Sequence, residues 1–553
     1  MRALALERGL AAGLLLGLAG QLFYGLRTDG MTDDESVYIG AGYRHLHGDF
    51  RINPEQPPVA KLWGALPLLA LDLQPADVRH GEDQCGWSYR FIHEWNRRAP
   101  ILATARVMPV VLMMLMAALV WRWARRVGGP AAGLLALALA AFQPAFLAHG
   151  HLVATDLPSA AAMLAAAWCF WRFLEAPSLG RAVLVVIAGV AGVLSRLTAG
   201  VLVPAFFVLA ALAMRPSRDR GRRGRALLML AGIALVLGPL LVWAAYGFRY
   251  EPWPGEVASY GGPWPEGTTG ALLAWAADHH LLPHSFLEAV RFQIDHNARG
   301  HAGYLLGDRG RAGWPYYYLV TLVAKNTPGF LALVFVASTQ WRRPQAAPIA
   351  HWLLPALALF TMASLGRIQI GERYILAVYS YLILWIATAC APLLASRHGR
   401  IAVGALLLAH VGPALWIAPR GYLTYFNPVA GGPEGGHRWL ADSNLDWGQD
   451  LPRLAAWMRR KGVTRVQLGY FGSDDPDRYG IAHEDLPTWH SHHPVHAPAA
   501  PLTGTVVVSP NLLLGFLMPP DKNPYQALRD RQPDDRAGIF FVYDLGGAPP
   551  PQR

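Results

Sequence analysis

Long apolar runs recur along this chain, and they restrict its fold more than any other feature of the sequence. Most of them are about 17–25 residues long, close to the length that crosses a bilayer as a helix. They are separated by short charged or Gly- and Pro-rich breaks and lie near residues 6–26, 101–121, 130–148, 158–174, 181–195, 197–214, 226–247, 316–339, 348–366, 373–395 and 401–418. The pattern predicts a polytopic α-helical membrane protein with about eleven transmembrane helices.

The overall composition agrees with a membrane protein. The chain of 553 residues is 53% hydrophobic and only 15% charged, with a mean hydropathy of +0.24, whereas a soluble protein carries about a quarter charged residues. The net charge of +11 comes from arginines in short loops between apolar runs. Because these arginines are not interleaved with aromatic residues on a soluble face, the charge does not indicate a nucleic-acid partner.

The same arginines orient the chain, because short cytoplasmic loops are enriched in Lys and Arg. Eleven spans with a cytoplasmic N-terminus place all of the loop arginines on one side, namely Arg122, Arg125, Arg126, Arg215, Arg218, Arg220, Arg222, Arg223, Arg225, Arg342, Arg343, Arg397 and Arg400. Residues 27–100, 148–157 and 248–315 and the tail from residue 419 then face the other side. We expect the first apolar run to be retained as a helix, although Arg2 and Arg8 before it also fit a signal peptide.

Two domains are expected. Residues 1–418 form the transmembrane domain with its two long exoplasmic loops, and residues 419–553 form a small α/β domain. In this tail, residues 451–461 have helical spacing, and residues 463–471, 505–508 and 539–543 have the composition of strands. Residues 59–71, which follow Pro57-Pro58, are too short to span and predict an amphipathic helix in the interface.

The first exoplasmic loop carries the clearest candidate site. Asp34 and Glu35 stand just beyond the first apolar run, followed by Tyr38 and by residues 55–61, Glu-Gln-Pro-Pro-Val-Ala-Lys. Ionisable groups at the mouth of a membrane bundle are costly to desolvate and therefore indicate a site. A carboxylate can remove a proton from an acceptor, and a nearby lysine can hold an anionic leaving group.

Residues 34–38 and 55–61 resemble the first-loop signature of glycosyltransferase family 39. This family includes protein O-mannosyltransferases, is similar to the lipid A aminoarabinose transferases, and has the GT-C membrane fold. Further similar segments follow in the same order as in the bacterial, phospholipid-carrier-dependent branch, at residues 154–158, 301–328, 371–374 and 442–450. The resemblance spans nearly the whole chain.

The resemblance implies a polyprenyl-phosphate-linked sugar donor used on the exoplasmic face. Inversion by a single displacement needs one base rather than two carboxylates flanking the bond. The family's favoured base corresponds to Asp34 here, although Asp33 precedes it and leaves the assignment open by one residue. Asp156 is the second candidate, since it starts the fourth span on the same side. For both Asp34 and Asp156 the alternative is a helix N-cap.

Three cations are candidates for the donor phosphate. Lys61 follows the Pro-Pro turn at headgroup depth, with snorkelling to ordinary lipids as its alternative. Arg196 and Arg373 lie at predicted exoplasmic helix ends, where arginine offers two parallel contacts to phosphate. Glu372 could neutralise Arg373 instead, and Arg196 could simply mark a helix break.

The resemblance further implies donor or acceptor contacts by Tyr38, Glu55, Gln56, Tyr316, Asp446 and Trp447. In the tail motif at residues 442–450, Trp447 could stack on a sugar while acids and amides bind its hydroxyls. The alternative is a tight turn into the helix at residue 451. Both interpretations remain open at this stage.

No metal or other cofactor is expected. His149 and His151 flank the loop before Asp156, and His490, His492, His493 and His496 cluster in the tail, but neither group has a recognised ligand spacing. The three cysteines are scattered and predict neither a metal motif nor an intramolecular disulfide.

A lipid-linked sugar flippase is the alternative function, because acidic residues also mark transport paths. The acceptor cannot be read from the sequence and could be a glycan, a lipid or a protein. The high Ala, Arg and Gly content suggests a GC-rich bacterial genome, and therefore an inner-membrane protein whose site faces the periplasm.

Overall fold

The computed structural model describes residues 2–74, 83–97, 99–214, 220–251, 262–340, 349–488, 501–518 and 523–546. Several residues used in the sequence analysis lie outside these ranges, namely Arg215, Arg218, Arg342, Arg343, His490, His492, His493 and His496. The described chain is mainly helical, with a small sheet near its C-terminal end. The predicted fold class, a helical membrane protein with a C-terminal α/β domain, is confirmed.

The helices up to residue 245 contain the first loop and the first half of the bundle. They are α1 (Arg2–Thr28), α2 (Asp33–Leu46), α3 (Val59–Ala65), α4 (Gln84–Tyr89), α5 (Ile101–Ala105), α6 (Val107–Ala141), α7 (Pro144–His149), α8 (Asp156–Glu175), α9 (Leu179–Ser195), α10 (Leu202–Ala213) and α11 (Arg220–Ala245). The helix α3 continues as a 3-10 turn, Leu66–Ala70. The expected short helix at residues 59–71 is therefore present.

The second half of the chain adds the second loop, the remaining bundle and the tail. Its helices are α12 (Thr268–Asp278), α13 (His284–Arg299), α14 (Tyr317–Lys325), α15 (Pro328–Thr339), α16 (Ile349–Leu365), α17 (Leu376–Cys390), α18 (Arg397–Ile417), α19 (Gly432–Gly435), α20 (Leu451–Lys461), α21 (Pro510–Leu514) and α22 (Gln526–Arg529). Its strands are β1 (Gly303–Leu305), β2 (Asp308–Gly310), β3 (Val466–Gly469), β4 (His483–Asp485), β5 (Thr505–Val508), β6 (Asp535–Ala537) and β7 (Phe540–Asp544).

Within the described residues, six helices are long and apolar enough to cross a membrane, and one bent pair brings the number to seven. Each of the eleven predicted spans overlaps an apolar helix, but three of these helical segments, Leu179–Ser195, Leu197–Ala213 and Ile349–Leu365, are shorter than a full span. The count of eleven remains a prediction. The segments predicted at 101–121 and 130–148 are joined in α6, whose path changes at Gly129 (φ 79°).

One predicted span has a different shape in the structure. Residues 316–339 are two helices, α14 and α15, that meet at an angle of 115°. Pro328 is the first residue of α15, where its missing N–H costs nothing, and the Thr327 side chain caps that helix by accepting from the Phe330 N–H. A proline and a new cap end one helix and begin another, so the apolar run does not continue straight.

The tail forms one five-stranded sheet of order β4-β3-β5-β7-β6. β3 pairs in parallel with β4 and β5, while β7 pairs antiparallel with β5 and β6. The helix α20 has the predicted bounds and ends at Gly462, which takes the left-handed conformation (φ 67°). The apolar side chains of β5 and β7 are buried, and they belong to the same hydrophobic cluster as the helical bundle.

Candidate active site

The first turn of α2 is fixed by Glu35. The helix begins at Asp33 after Thr32, and the Glu35 carboxylate accepts from the Thr32 N–H at 2.9 Å and from its hydroxyl at 3.1 Å. This is the return half of a capping box. Asp34 therefore lies inside the first turn and is not the N-cap, which corrects one of the two interpretations of this residue.

Glu35 itself is fully buried and has many partners. Its carboxylate accepts from Arg106 Nε at 2.9 Å and Nη2 at 2.5 Å and from the Val153 N–H at 2.9 Å. Burial alone would raise the pKa of Glu35, but Arg106 and the N–H groups of Thr32 and Val153 lower it below its ordinary value. Because its oxygens are occupied and shielded from solvent, the geometry does not support a catalytic role and makes Glu35 a positioning residue.

Arg373 joins the two aspartates that the sequence singles out. Its Nη1 donates to Asp34 Oδ2 at 2.8 Å and lies 3.7 Å from Asp156 Oδ2. Arg196 forms an ion pair with Asp156, and its guanidinium lies 3.8 Å from the centre of the Tyr374 ring. Two carboxylates and two guanidiniums from four separate segments are thus brought together, and Asp34, with a side chain 32% exposed, is the accessible carboxylate of the group.

Asp156 opens α8, but it does not cap it. The helix begins at Asp156 and its N-cap is Thr155, so the capping interpretation of Asp156 is wrong. The side chain of Asp156 is 1% exposed and faces both guanidiniums. A buried carboxylate between two arginines holds them together near one point.

A small pocket of mixed polar and apolar lining opens beside these arginines. Its volume is about 10 Å³, and Asp156, Arg196 and Arg373 line one part of it. The rest of the wall comes from α8, α16 and α17, with Ala160, Met163, Leu359, Leu376 and Ala377 among the lining residues. Arg373 Nε is buried and has no hydrogen-bond partner among the described residues, so a donor for an anion is left open next to an apolar surface.

Lys61 lies elsewhere than predicted. Its ammonium is buried and donates to Asn53 O at 2.6 Å, to Asn53 Oδ1 at 3.1 Å and to Gln56 O at 2.7 Å. Burial lowers its pKa to about 7, while Glu55 opposes the shift. All three ammonium protons hold the turn before α3, so the geometry supports a role in shaping this loop rather than a direct phosphate contact.

Glu55 and Gln56 belong to the same turn. Glu55 Oε1 accepts from the Gln84 amide at 2.5 Å, while Gln56 offers its backbone oxygen to Lys61. Glu55 Oε2 is buried without a hydrogen-bond partner among the described residues, and burial raises the pKa of this carboxyl. The contacts of both residues are with the first loop, and none is recorded to the arginine pair.

Tyr38 and Tyr316, the two tyrosines predicted to contact the donor or the acceptor, differ in their exposure to solvent. Tyr38 is buried one turn beyond Asp34, and burial, with Asp34, raises the pKa of its phenol. Tyr316 is 48% exposed and precedes α14. The neighbouring Tyr317 is the buried residue, and its hydroxyl accepts from the Asn444 amide at 2.8 Å. The site contact predicted for Tyr316 is thus not supported, and Tyr317 occupies the position nearer the tail motif.

The tail motif at residues 442–450 is a buried turn. Asp446 is fully buried and accepts from the Ser509 hydroxyl and from the Gly448 N–H at 3.0 Å. Trp447 is 2% exposed, and the Arg373 guanidinium lies 4.1 Å from its ring centre. Neither side chain is open to a sugar in this structure. The geometry favours the tight-turn interpretation, with Trp447 as a platform for Arg373.

Acidic side chains accumulate around Arg373. Burial, together with Asp34 and Asp442, raises the pKa of Asp33 well above its ordinary value. Burial also raises the pKa of Asp442 to about 6, with Arg373 opposing the shift, and that of Asp446 to about 7. The hydrogen bond from Arg373 to Asp34 favours Asp34 over Asp33 as the base.

Glu372 does not neutralise its neighbour Arg373. Its carboxylate lies 3.4 Å from Lys325 Nζ, and its N–H donates to Asn444 Oδ1 at 2.9 Å. Lys325 also donates to Leu423 O at 2.8 Å and to Asn444 O at 2.6 Å. The alternative pairing considered for Arg373 is wrong, because Glu372 belongs to a separate buried network.

The two histidines before Asp156 have different surroundings. His151 Nε2 lies 3.1 Å from Asp29 Oδ2, while both ring nitrogens of His149 are buried without a hydrogen-bond partner among the described residues. Burial, with Arg373 and Lys325, lowers the pKa of His149 well below its ordinary value. Among the described residues, no group of three or more His, Cys, Asp or Glu side chains is arranged to hold a metal ion.

Several residues near the site were not found from the sequence. Arg106, Tyr374, Asn444 and Asp442 all contact or surround the predicted residues. Asn444 and Asp442 stand in a motif that was noticed, and Tyr374 follows Arg373 directly. Arg106 lies near the start of an apolar run. A single charged residue in such a run predicts that an oppositely charged residue is buried next to it.

The fold is that of the GT-C class of membrane glycosyltransferases. The structure of the S. cerevisiae protein O-mannosyltransferase Pmt1–Pmt2 complex bound to the sugar donor matches with a TM-score of 0.51 at 12% identity, over 75% of this chain and 90% of that one. The predicted fold is therefore confirmed. Residues 102–243 match the family model described as dolichyl-phosphate-mannose-protein mannosyltransferase.

Two further structures are similar at lower TM-scores. ArnT from Cupriavidus metallidurans bound to undecaprenyl phosphate has a TM-score of 0.47 at 15% identity, covering 97% of this chain and 99% of that one. The oligosaccharyltransferase AglB from Archaeoglobus fulgidus, in complex with an inhibitory peptide and a dolichol-phosphate, has a TM-score of 0.43 at 13% identity, covering 81% and 58%. No curated protein matches the chain.

Proposed function

We propose that this chain is a membrane glycosyltransferase that moves a sugar from a polyprenyl-phosphate donor to an acceptor by an inverting single displacement. Asp34 is the general base, and Arg196 and Arg373 bind the donor phosphate. The reaction takes place on the exoplasmic face, which in a bacterial inner membrane is the periplasmic side. The family model matched by residues 102–243 is named for a polyprenyl-phosphate sugar donor, which agrees with this class of substrate.

The observation that carries the proposal is the position of the two arginines. They line a small pocket together with apolar residues such as Met163, Leu359 and Leu376, and Arg373 also donates to Asp34. A lipid phosphate has the same two parts, a charged head and an apolar tail. Arginine binds phosphate through parallel N–H groups, and the open Nε of Arg373 supplies such a donor.

The chemistry follows from this arrangement. The acceptor hydroxyl transfers its proton to Asp34 as its oxygen forms a bond to the anomeric carbon. The bond from that carbon to the phosphate oxygen breaks, and the polyprenyl phosphate leaves with the electron pair. Preorganised guanidiniums stabilise the charge that develops on this leaving group. Asp156 keeps both arginines in place and is a positioning residue.

The first test is transfer of radiolabelled sugar from a polyprenyl-phosphate donor in membranes that contain wild type or Asp34→Asn. The amide keeps an oxygen that accepts from Arg373, so we expect the variant to fold and to bind donor. Loss of a general base lowers transfer by about a hundredfold or more. The matched control is Asp278→Asn, the same change at an exposed position on α12, which should transfer as the wild type does.

The other outcomes are equally informative. Equal labelling by wild type and Asp34→Asn would contradict the assignment of the base and direct attention to Asp33 or Asp156. Absence of transfer by the wild type, together with movement of the lipid-linked sugar across the bilayer that survives in Asp34→Asn, would instead support a flippase.

A further inference from the structure

A wide groove lies on the tail domain, outside the arginine pair of the proposed active site. It is bordered by the β1–β2 hairpin, the glycine-rich segment at residues 431–438 and the sheet edge around β6 and β7. Its volume is about 1100 Å³, and it is open to solvent. Small-molecule sites occupy about 300–1,000 Å³, so this groove has room for a ligand larger than a single sugar.

Arginines dominate the polar lining of the groove. Arg309, Arg438, Arg529 and Arg536 all contribute to its wall. In the part of the chain that the structure describes, none of these four forms an ion pair with a carboxylate. Several unpaired guanidiniums in one concave surface create a strong positive potential.

The guanidiniums are also close enough to oppose one another. Burial lowers the pKa of Arg529, and Arg309 lowers it further. Burial lowers the pKa of Arg536 in the same way, with Arg438 adding to the shift. Like charges at this separation destabilise the empty groove, and a bound anion relieves that repulsion.

The acidic residues at the rim offset only part of this charge. Asp535 accepts from Lys461 Nζ at 2.7 Å and from the Trp457 indole at 3.1 Å, so it is already neutralised from outside the groove. Asp534 is paired with Arg531. Glu434 and Asp530 are exposed, and they offset part of the charge of Arg536 and Arg529 by opposing the lowering of the pKa of each guanidinium.

The groove and the candidate active site share one chain segment. Arg438 lines the groove, and Asp442, four residues later, is one of the carboxylates around Arg373. Four residues span at most about 14 Å of extended chain. Between them, Leu440 pairs with Leu305 of β1, which fixes this segment against the hairpin. A ligand in the groove is therefore within reach of the reaction centre.

We propose that this groove binds the phosphate groups of an acceptor that carries more than one of them. The inference rests on the proposed function, because it names the acceptor class of the same transferase. Arginine favours phosphate through its planar fork, and a phosphate carries about −1.5 to −2 charge at neutral pH where a carboxylate carries one. Four guanidiniums that form no ion pair with a carboxylate among the described residues match such a ligand better than a neutral glycan or a polypeptide chain, although Arg529 and Arg536 each also donate to a backbone oxygen.

Binding of inorganic pyrophosphate to the full chain in detergent, measured by calorimetry, tests the groove without any transfer step. The variant is Arg309→Ala with Arg438→Ala, because both residues are exposed and neither side chain forms a hydrogen bond with another described residue. The dissociation constant should rise at least about tenfold. Arg459→Ala, an exposed arginine of α20 outside the groove, is the matched control and should leave it within about twofold.

A second variant, Arg309→Lys with Arg438→Lys, keeps the positive charge but removes the planar guanidinium that binds phosphate through two parallel N–H groups. Weakening intermediate between wild type and the alanine variant supports recognition of phosphate. Equal pyrophosphate binding by wild type and the alanine variant would overturn the proposal, as would succinate binding as tightly as pyrophosphate. These readouts do not depend on transfer, so a failure of the groove is distinguishable from a failure of the glycosyltransferase assignment.

Discussion

Glu35 and Asp34 are adjacent carboxylates with different surroundings. Glu35 is saturated by Arg106 and by two N–H groups, while Asp34 is partly exposed and has one recorded hydrogen bond, from Arg373. A helix turns by about 100° between neighbouring residues, so one side chain enters the protein and the next faces the opening. The two carboxylates therefore differ in role because their side chains point in different directions, and not because one is Glu and the other Asp.

We expect Glu35→Gln to destabilise the protein by about 3–5 kcal/mol, because it leaves the Arg106 guanidinium buried without its counter-charge. Thermal unfolding in detergent measures the loss. The control is Glu175→Gln, whose carboxylate is 36% exposed and pairs with Arg126 and Arg172 at the surface; its cost should stay below about 1 kcal/mol. Unchanged stability together with abolished transfer would show that Glu35 takes part in the chemistry directly.

At the scale of elements, the first loop depends on a close contact between α2 and α3. A Cβ added at Gly42 would lie 2.3 Å from Lys61 O and 2.8 Å from Ala65 Cβ. The backbone oxygen cannot move away without shifting α3, and Lys61 on that helix holds the turn at residues 53–56. The absence of a side chain at Gly42 thus allows the loop to pack against the helix that carries Asp34.

We expect Gly42→Ala to destabilise the protein by about 1–3 kcal/mol through overpacking. Gly20→Ala is the matched control, since no atom lies within 4 Å of its added Cβ; it should be neutral or stabilising by up to about 1 kcal/mol through helix propensity. Both are read from thermal unfolding in the same detergent. Equal stability of the two variants would mean that α2 and α3 separate at little cost.

The break between α14 and α15 has a similar structural role. It places Lys325 at the end of α14, where its ammonium contacts Glu372 and the backbone of the tail segment. From the tail, the side-chain oxygen of Asn444 accepts a hydrogen bond from the Glu372 N–H. The bend thus follows directly on the lysine that links the bundle to the tail motif.

At the scale of the whole molecule, polar contacts attach the tail to the bundle. Arg453 donates to Asp29 at 2.7 Å and also pairs with Asp450, and Asp29 in turn contacts His151. Within the tail, Asp446 holds the motif at residues 442–450 against Ser509. These contacts fix Trp447 beneath Arg373, so the tail helps to position a group of the candidate active site.

The raised pKa of Asp446 predicts a pH-dependent stability. Burial raises this pKa from 3.8 to about 7, so the folded state binds more protons than the unfolded chain between these values. The contribution of this group is fully present below about pH 4 and is lost as the pH rises through about 7. We therefore expect Asp446→Asn to reduce the fall in melting temperature between pH 5 and pH 8.

The measurement is thermal unfolding of wild type and variant at both pH values. Asp308→Asn, at an exposed position of the β1–β2 hairpin, is the control and should keep the wild-type pH dependence. A wild-type dependence that survives unchanged in Asp446→Asn would place the responsible proton on another group.

The sequence by itself determined the features that are local or periodic. Runs of apolar residues predicted the helical bundle, and helix and strand patterns predicted α20 and β5 with their observed bounds. The position of the candidate site was indicated by two adjacent acidic residues after the first apolar run, Asp34 and Glu35, and by two arginines at predicted helix ends, Arg196 and Arg373. These features follow from the cost of placing polar groups in lipid and from side-chain periodicity, and both can be read along a chain.

Only the tertiary structure decided which charge faces which partner. Arg373 pairs with Asp34, 339 residues away, while its neighbour Glu372 pairs with Lys325. Lys61, expected at the donor phosphate, holds its own loop instead. A buried charge is stable only where an opposite charge or several hydrogen bonds meet it. That condition depends on distances between segments remote in the chain, which sequence spacing does not contain.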